Sequence, residues 1–259
     1  MKLMINHQTH YQYTETAKNS IQYIRMSPQS NEHQKVISWA LSVPGEKVQA
    51  LDAFNNIWIT STQRYDYQNL SIMAQGVVEI NPDSQTGIKS DIPTAFFLQV
   101  TPTTMADAEM KAFAAELVEN KDRADLIKLS EALIEKMPYV SFTTEVSTTA
   151  IDAFHHARGV CQDHAHVFIA MCRSLGIPAR YVSGYLHVPN GNHLASHAWA
   201  EAFIDQEWYC FDVSNQLYTP SSHIYVAIGR DYWDVAPVRG VRQLGGIEEM
   251  NSIVQVLPC

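Results

Sequence analysis

The sequence predicts an α+β protein in two parts: a β-rich, sandwich-like N-terminal domain over residues 1–102, then a domain over residues 103–259 in which helices are followed by strands. Two observations carry this. Short stretches of alternating apolar and polar side chains fill the first hundred residues, and a run of strong helix formers starts directly after "TPTT" at 101–104. The bulk numbers agree with a folded chain: 259 residues, 46% hydrophobic and 17% charged, enough for one large domain or two smaller ones.

In chain order, "HYQYTE", "SIQYIRM", "KVISWALSV", "NIWITST" and "LSIMAQGVVEI" read as strands, punctuated by Pro28, Pro44-Gly45 and Asn81-Pro82. In "MADAEMKAFAAELVENKDRADLIKLSEALIEKM", Phe113, Leu117, Leu126, Leu129 and Leu133 recur at helical steps; "NKDR" divides the stretch into two helices and Pro138 stops the second. "STTAIDAFHHARG" predicts a third helix, capped by Ser147, Thr148 or Thr149 and stopped by Gly159. From Gln162 a fourth helix lines up Ala165, Ile169, Cys172 and Leu175 on one stripe, and "GIP" at 176–178 ends it. "ARYVSGYLHV", "SHAWAEAFI" and "EWYCFDVSN" return to strands. "HIYVAIGRDYWDVAPVRG" begins as a strand and becomes a loop, and "SIVQVLP" is a last short strand.

A formal net charge of -9 with no basic cluster argues against nucleic acid or an anionic membrane as partner. No stretch approaches the roughly 18–20 apolar residues of a membrane helix, and the N-terminus has no apolar core of signal-peptide length, so a soluble, cytoplasmic protein is expected. Cys161, Cys172, Cys210 and Cys259 are sparse and form no C-x-x-C pair, which argues against a disulfide framework or a zinc ribbon.

The chemistry concentrates in "RGVCQDHAH". Cys161 precedes a predicted helix, whose first turn offers unpaired N–H groups and a positive dipole end to a thiolate. A nucleophile needs a base, and His197 stands on the strand "SHAWAEAFI"; the base needs an orienting acceptor, and Asp212 ends the next strand. If those strands form a hairpin turning at Asp205 and Gln206, Trp199 faces Asp212 and His197 lies one diagonal step away on the same face; a turn shifted by one residue separates them.

The blocks "GVCQDHAHVFIAMCRSLGIPARYVSGYL", "SHAWAEAFI" and "WYCFDVSN" resemble, in order and spacing, the catalytic blocks of the bacterial transglutaminase-like superfamily, whose members are often described as cysteine proteases. "HIYVAIGRDYWDVAPVRG" resembles a further signature of the group, and the early strands resemble its β-rich N-terminal domain. The resemblance implies a papain-like core of helices packed on an antiparallel sheet, with Cys161 as nucleophile, His197 as general base and acid, and Asp212 as orienter. "DVSN" at 212–215 departs from the more usual "DPTN" but keeps Asp212 and Asn215.

An oxyanion hole would draw on the Cys161 backbone N–H and a side-chain donor, with Gln162, Tyr185 and Trp199 as candidates for that or for substrate binding. Asp163 is expected to serve the helix N-terminus. His164 and His166, with His155, His156 and His193 nearby, suggest a metal, but i and i+2 diverge on a helix and no third ligand has clear spacing; no metal and no cofactor is expected. Cys172 and Cys210 are expected in the core and Cys259 at the surface. Arg180, Arg230, Asp231, Asp234 and Arg239 are expected to form charge pairs holding a loop beside the cleft. The resulting expectation is a thiol-dependent acyl-transfer enzyme acting on a peptide or protein substrate, with hydrolysis of amide bonds placed ahead of amine-accepting transglutamination. A peptide-binding module without turnover and a metal hydrolase are the rival classes. Oligomeric state is left open.

Overall fold

The computed structural model describes residues 1–141, 143–189 and 196–259. A long strand, β1 (Lys2–Ile24), organises the first part. The stretches "HYQYTE" and "SIQYIRM", predicted as separate strands, are one strand here, bent where the pairing shifts between Gln12 and Ala17 and where Asn19 adopts a φ of 44°. Four further strands follow: β2 (Gln34–Ser42), β3 (Glu46–Leu51), β4 (Ile57–Gln63) and β5 (Tyr67–Ile80). The first half of β1 pairs antiparallel with β5 and its second half with β4, while β2 extends β5 and β3 extends β4. All belong to one curled sheet with its own core of Tyr11, Ile24, Ile59, Leu70 and Ile72.

The helices come next. α1 (Ala108–Leu117) and α2 (Arg123–Lys136) start on Asp107 and Asp122, whose carboxylates accept from Met110 N and Asp125 N. α3 (Ala150–His156) starts on Thr149 with a reciprocal Thr149–Asp152 capping box; it stops at Ala157, which takes the left-handed conformation, two residues before the glycine expected to end it. α4 (Cys161–Ser174) ends at Gly176, φ 77°.

A second, four-stranded sheet carries β6 (Ala179–Leu186), β7 (His197–Ile204), β8 (Glu207–Phe211) and β9 (His223–Gly229) in the order β8-β7-β6-β9. β7 alternates by face. Ala198, Ala200 and Ala202 join the core containing Ala165, Phe168, Ile169 and Cys172 of α4, so the small side chains let the helix settle closely on the sheet. Trp199 points the other way, into a cluster with Val182, Trp208, Cys210, Tyr225 and the inserted Phe97. The segment leading into the helices therefore closes the sheet's far face.

The chain then returns to its beginning. After a short helix, α5 (Tyr232–Val235), strands β10 (Val238–Leu244) and β11 (Glu248–Pro258) pair with β1. The loop expected in "DVAPVRG" is thus partly strand, and residues 238–258, expected to lie with the C-terminal domain, complete the N-terminal sheet. Leu3, Ile5 and Val78 of that sheet share a core with Tyr185, Ile224 and Val226 of the other.

A second join lies along β9, the open edge of the second sheet. His33 Nε2 donates to the His223 carbonyl (2.9 Å). The Gln34 amide donates to the Tyr225 carbonyl and accepts from the Tyr225 N–H, both at 2.8 Å. The Asn56 amide makes the same double contact with Ile228, at 2.8 and 2.9 Å. Side chains of the first sheet thus take the place of a neighbouring strand and satisfy an edge that would otherwise be unpaired.

Candidate active site

Cys161 is the first residue of α4 and is half-buried. Its approach is shaped by Asp163, whose Oδ2 accepts from Val160 N (2.8 Å) and from Thr144 Oγ1 (2.6 Å). Gly159 makes room: a Cβ there would lie 2.7 Å from Asp163 Cβ. Burial nevertheless pushes the Asp163 carboxyl pKa up.

His197 opens β7. The two-residue turn at Asp205–Gln206, both at positive φ (49° and 67°), pairs Ile204 with Glu207 and Ala200 with Phe211. One step further, Asp212 falls level with Trp199 and one diagonal step from His197. The two side chains meet: His197 Nε2 donates to Asp212 Oδ2 at 2.7 Å. The Cys161 thiol lies beside the same imidazole and favours its charged form. Burial works against a charged His197, but the Asp212 charge and hydrogen bond and the contact with Cys161 outweigh it, raising its pKa to about 10. Asp212 is also buried, yet His197 and His223 hold its carboxyl well below the usual carboxylate range.

Asp212 has three donors on one oxygen. Besides His197, Asn215 Nδ2 reaches Oδ2 at 2.9 Å and His223 Nε2 at 3.2 Å, while Asn215 N donates to Oδ1 at 3.2 Å. Ser214 Oγ pairs with His164 Nδ1 at 2.7 Å, and His164 Nε2 donates to the Met137 carbonyl at 2.7 Å, tying the turn after Asp212 to α4 and to the end of α2. A thiol, an imidazole and a carboxylate in this sequence of contacts can form and discharge an acyl-sulfur bond.

The sequence matches the transglutaminase-like superfamily over residues 111–213, a span holding Cys161, His197 and Asp212, and the bacterial transglutaminase-like N-terminal region over residues 3–79. The chain carries a transglutaminase-like core and a bacterial transglutaminase-like N-terminal domain. This transglutaminase-like chain is 29% identical to the uncharacterized protein ML0607 of Mycobacterium leprae, covering 98% of each. It is 26% identical to the uncharacterized protein Rv2569c of Mycobacterium tuberculosis, over 97% of this chain and 90% of that one. A crystal structure of a candidate cysteine protease from Cytophaga hutchinsonii shares the fold, with a TM-score of 0.81 at 23% identity, covering 99% of this chain and 90% of that one.

Within this transglutaminase-like site, the three proposed side-chain donors separate. Gln162 stays at the helix start, where its Nε2 donates to the Val146 carbonyl at 3.1 Å. The Tyr185 hydroxyl is buried and taken by His7 Nδ1 at 3.0 Å, so it faces the first sheet. Trp199 packs under His197, ring centroids 6.0 Å apart and 22° from parallel, with its indole N–H buried and without a partner among the described residues. The Tyr185 hydroxyl is therefore already engaged on the side of the first sheet.

The histidine pair suggested for a metal is split: His164 bridges Ser214 and Met137, while His166 Nε2 accepts from Tyr232 N at 3.1 Å. His155 pairs with Asp107 at 2.7 Å, and His193 lies outside the described residues. His197, Asp212 and His223 do bring donor atoms within 4.8 Å of one another, as an arrangement in which the carboxylate already accepts from both rings. Cys172 and Cys210 are fully buried and Cys259 is exposed. Arg180 is buried against Glu201, its Nε 2.6 Å from Oε2, well inside the sheet, whereas Arg230 pairs with Asp234 at 2.8 Å and Asp231 caps α5. His223 escaped the sequence reading. Its strand was visible, but the neighbour of that strand is β6, and nothing local to "SSHIYV" identifies it.

Proposed function

We propose that the protein is a thiol-dependent acyl-transfer enzyme that hydrolyses peptide or amide bonds through Cys161, His197 and Asp212. The observation that carries this is one imidazole held between a thiol at a helix N-terminus and a buried carboxylate. Because an ionised carboxylate only accepts, the His197 Nε2 facing Asp212 is the protonated one, leaving the other ring nitrogen for the thiol proton.

His197, its pKa raised to about 10, already holds that proton at pH 7 when the Cys161 sulfur attacks the carbonyl carbon and the C=O electron pair moves to oxygen. The Cys161 backbone N–H, in the first turn of α4, is a donor for that oxyanion. Collapse expels the amine, which receives the proton from His197, and leaves a thioester on Cys161. A half-buried sulfur leaves the thioester open to water, so hydrolysis completes the cycle and returns the thiol. A primary amine in place of water would make the same site a transglutaminase.

The test uses iodoacetamide on the full chain at pH 7 with peptide mapping. Cys161 is expected to label faster than the exposed Cys259, and His197→Ala to abolish that advantage; chelators are expected to change neither. Equal labelling of the two thiols in the wild type, or no effect of His197→Ala, overturns the reading. A peptide amide with and without an added primary amine then separates hydrolysis from transfer.

A further inference from the structure

We propose that His223 is a fourth, positioning member of this site: from β9 it holds the Asp212 carboxylate facing His197, and so makes the first sheet a support of the triad. The inference rests on the triad reading above.

Three elements converge on one carboxylate. His197 comes from β7, Asn215 from the turn after β8, and His223 from β9 at the far edge of the sheet, its Nε2 3.2 Å from Asp212 Oδ2. His223 reaches across because β6 carries Gly184 at the level of His197. A Cβ at 184 would run into the Ile224 carbonyl and lie 3.0 Å from the Trp199 indole. That indole packs against both histidines, with centroids 6.0 Å from His197 and 4.6 Å from His223.

The ring does little else of a polar kind. It is fully buried, and its Nδ1 has no partner among the described residues. If packing on Trp199 were the whole role, an apolar ring would serve without the cost of a buried unpaired nitrogen. The hydrogen bond to Asp212 is what distinguishes a histidine here. Burial lowers its pKa, so it donates as the neutral Nε2–H tautomer and brings no positive charge to compete with His197. The other groups around this cluster are Glu201, which accepts from the Tyr225 hydroxyl at 2.5 Å, His33, His164 and Cys161. The backbone of His223 is itself anchored from the first sheet, through His33 on its carbonyl.

His223→Gln keeps an N–H donor at comparable reach, and His223→Phe keeps the ring without it. The readouts are the Cys161 alkylation rate by iodoacetamide at pH 7, the low-field imidazole proton of His197 by NMR, and the thermal midpoint. His223→Phe is expected to slow alkylation about tenfold, the weight of one hydrogen bond to a charged group, and to broaden or remove the His197 signal. His223→Gln is expected to stay within about threefold of wild type on the same reasoning. On an Asp212→Asn background the phenylalanine substitution should add no further loss.

A folded His223→Phe protein that labels as fast as wild type overturns the inference and leaves the triad standing. So does a loss that His223→Gln fails to rescue. A wild-type Cys161 indifferent to His197→Ala removes the triad reading, and this inference with it. If His223→Phe does not fold, the wild-type nitrogen spectrum decides: the Nε2–H tautomer at His223 is required, and Nδ1–H refutes the role.

Discussion

At the scale of single residues, the decisive balance is at His197. Burial disfavours its charged form, and the carboxylate at 2.7 Å and the neighbouring thiol reverse this, raising its pKa to about 10. The sign follows. A histidine whose folded pKa lies above its unfolded value, about 6.5, stabilises the fold fully below pH 6.5 and loses that contribution as pH rises towards 10. In the proposed reaction the same proton goes to the leaving amine, so acyl transfer is expected to fall on its alkaline side as His197 deprotonates. Asp212→Asn removes the charge but leaves the burial. Its alkaline limb should move down by several pH units, and its rate at pH 7 should fall by about 100-fold or more, as expected when a general acid–base pair is broken. A pH–rate profile of the two proteins decides it; coincident alkaline limbs would mean that Asp212 does not set the His197 charge. These three residue types were legible in the sequence because a thiol before a helix and a histidine and aspartate on successive strands are local features. Asp163 was legible as well: its carboxylate meets the helix start through Val160 N.

At the scale of elements, the site depends on registers that local pattern encodes unevenly. The β7–β8 hairpin was countable, since a two-residue turn at Asp205–Gln206 aligns the faces, and the structure has that turn. The pairing of β6 with β9 was not, because the two strands are separated by β7 and β8 in the chain and both are buried along their whole length. Gly184 lies inside the predicted strand "ARYVSGYLHV", and its role depends on the β9 backbone beside it. There it leaves space for the Ile224 carbonyl and the Trp199 indole, the floor on which His197 and His223 lie. Gly184→Ala is therefore expected to push β9 or Trp199 aside, destabilising the protein by about 1–3 kcal/mol, as overpacking does, and slowing Cys161 labelling at pH 7. Denaturant unfolding together with labelling checks both; wild-type stability would show that the strands absorb a methyl group without moving. Ala198→Gly, on the face towards α4, offers a control in which stability falls without added bulk near Trp199.

At the scale of the molecule, the two sheets are one structure. The alternation of polar and apolar residues announced the strands, but it could not say that the chain's end returns to β1, nor that one 23-residue strand would pair with four others. Partner identity is a long-range property, and only the surface left after folding reveals it. The same holds for Gln34 and Asn56, which occupy the β9 edge at Tyr225 and Ile228. Each side-chain amide satisfies a buried N–H and a buried carbonyl at once. Truncation to alanine leaves both unpaired, at about 1–3 kcal/mol for each site. The consequence should be local before it is global. In Gln34→Ala the Tyr225 amide, and in Asn56→Ala the Ile228 amide, should lose protection from hydrogen exchange while the amides of β7 stay protected. Since His223 begins the same strand, Gln34→Ala should also slow Cys161 labelling more than Asn56→Ala does, because Tyr225 is two residues from His223 and Ile228 is five. If the edge amides stay protected in both variants, β9 is held by its pairing with β6 alone, and the first sheet is a neighbour of the second and not its support.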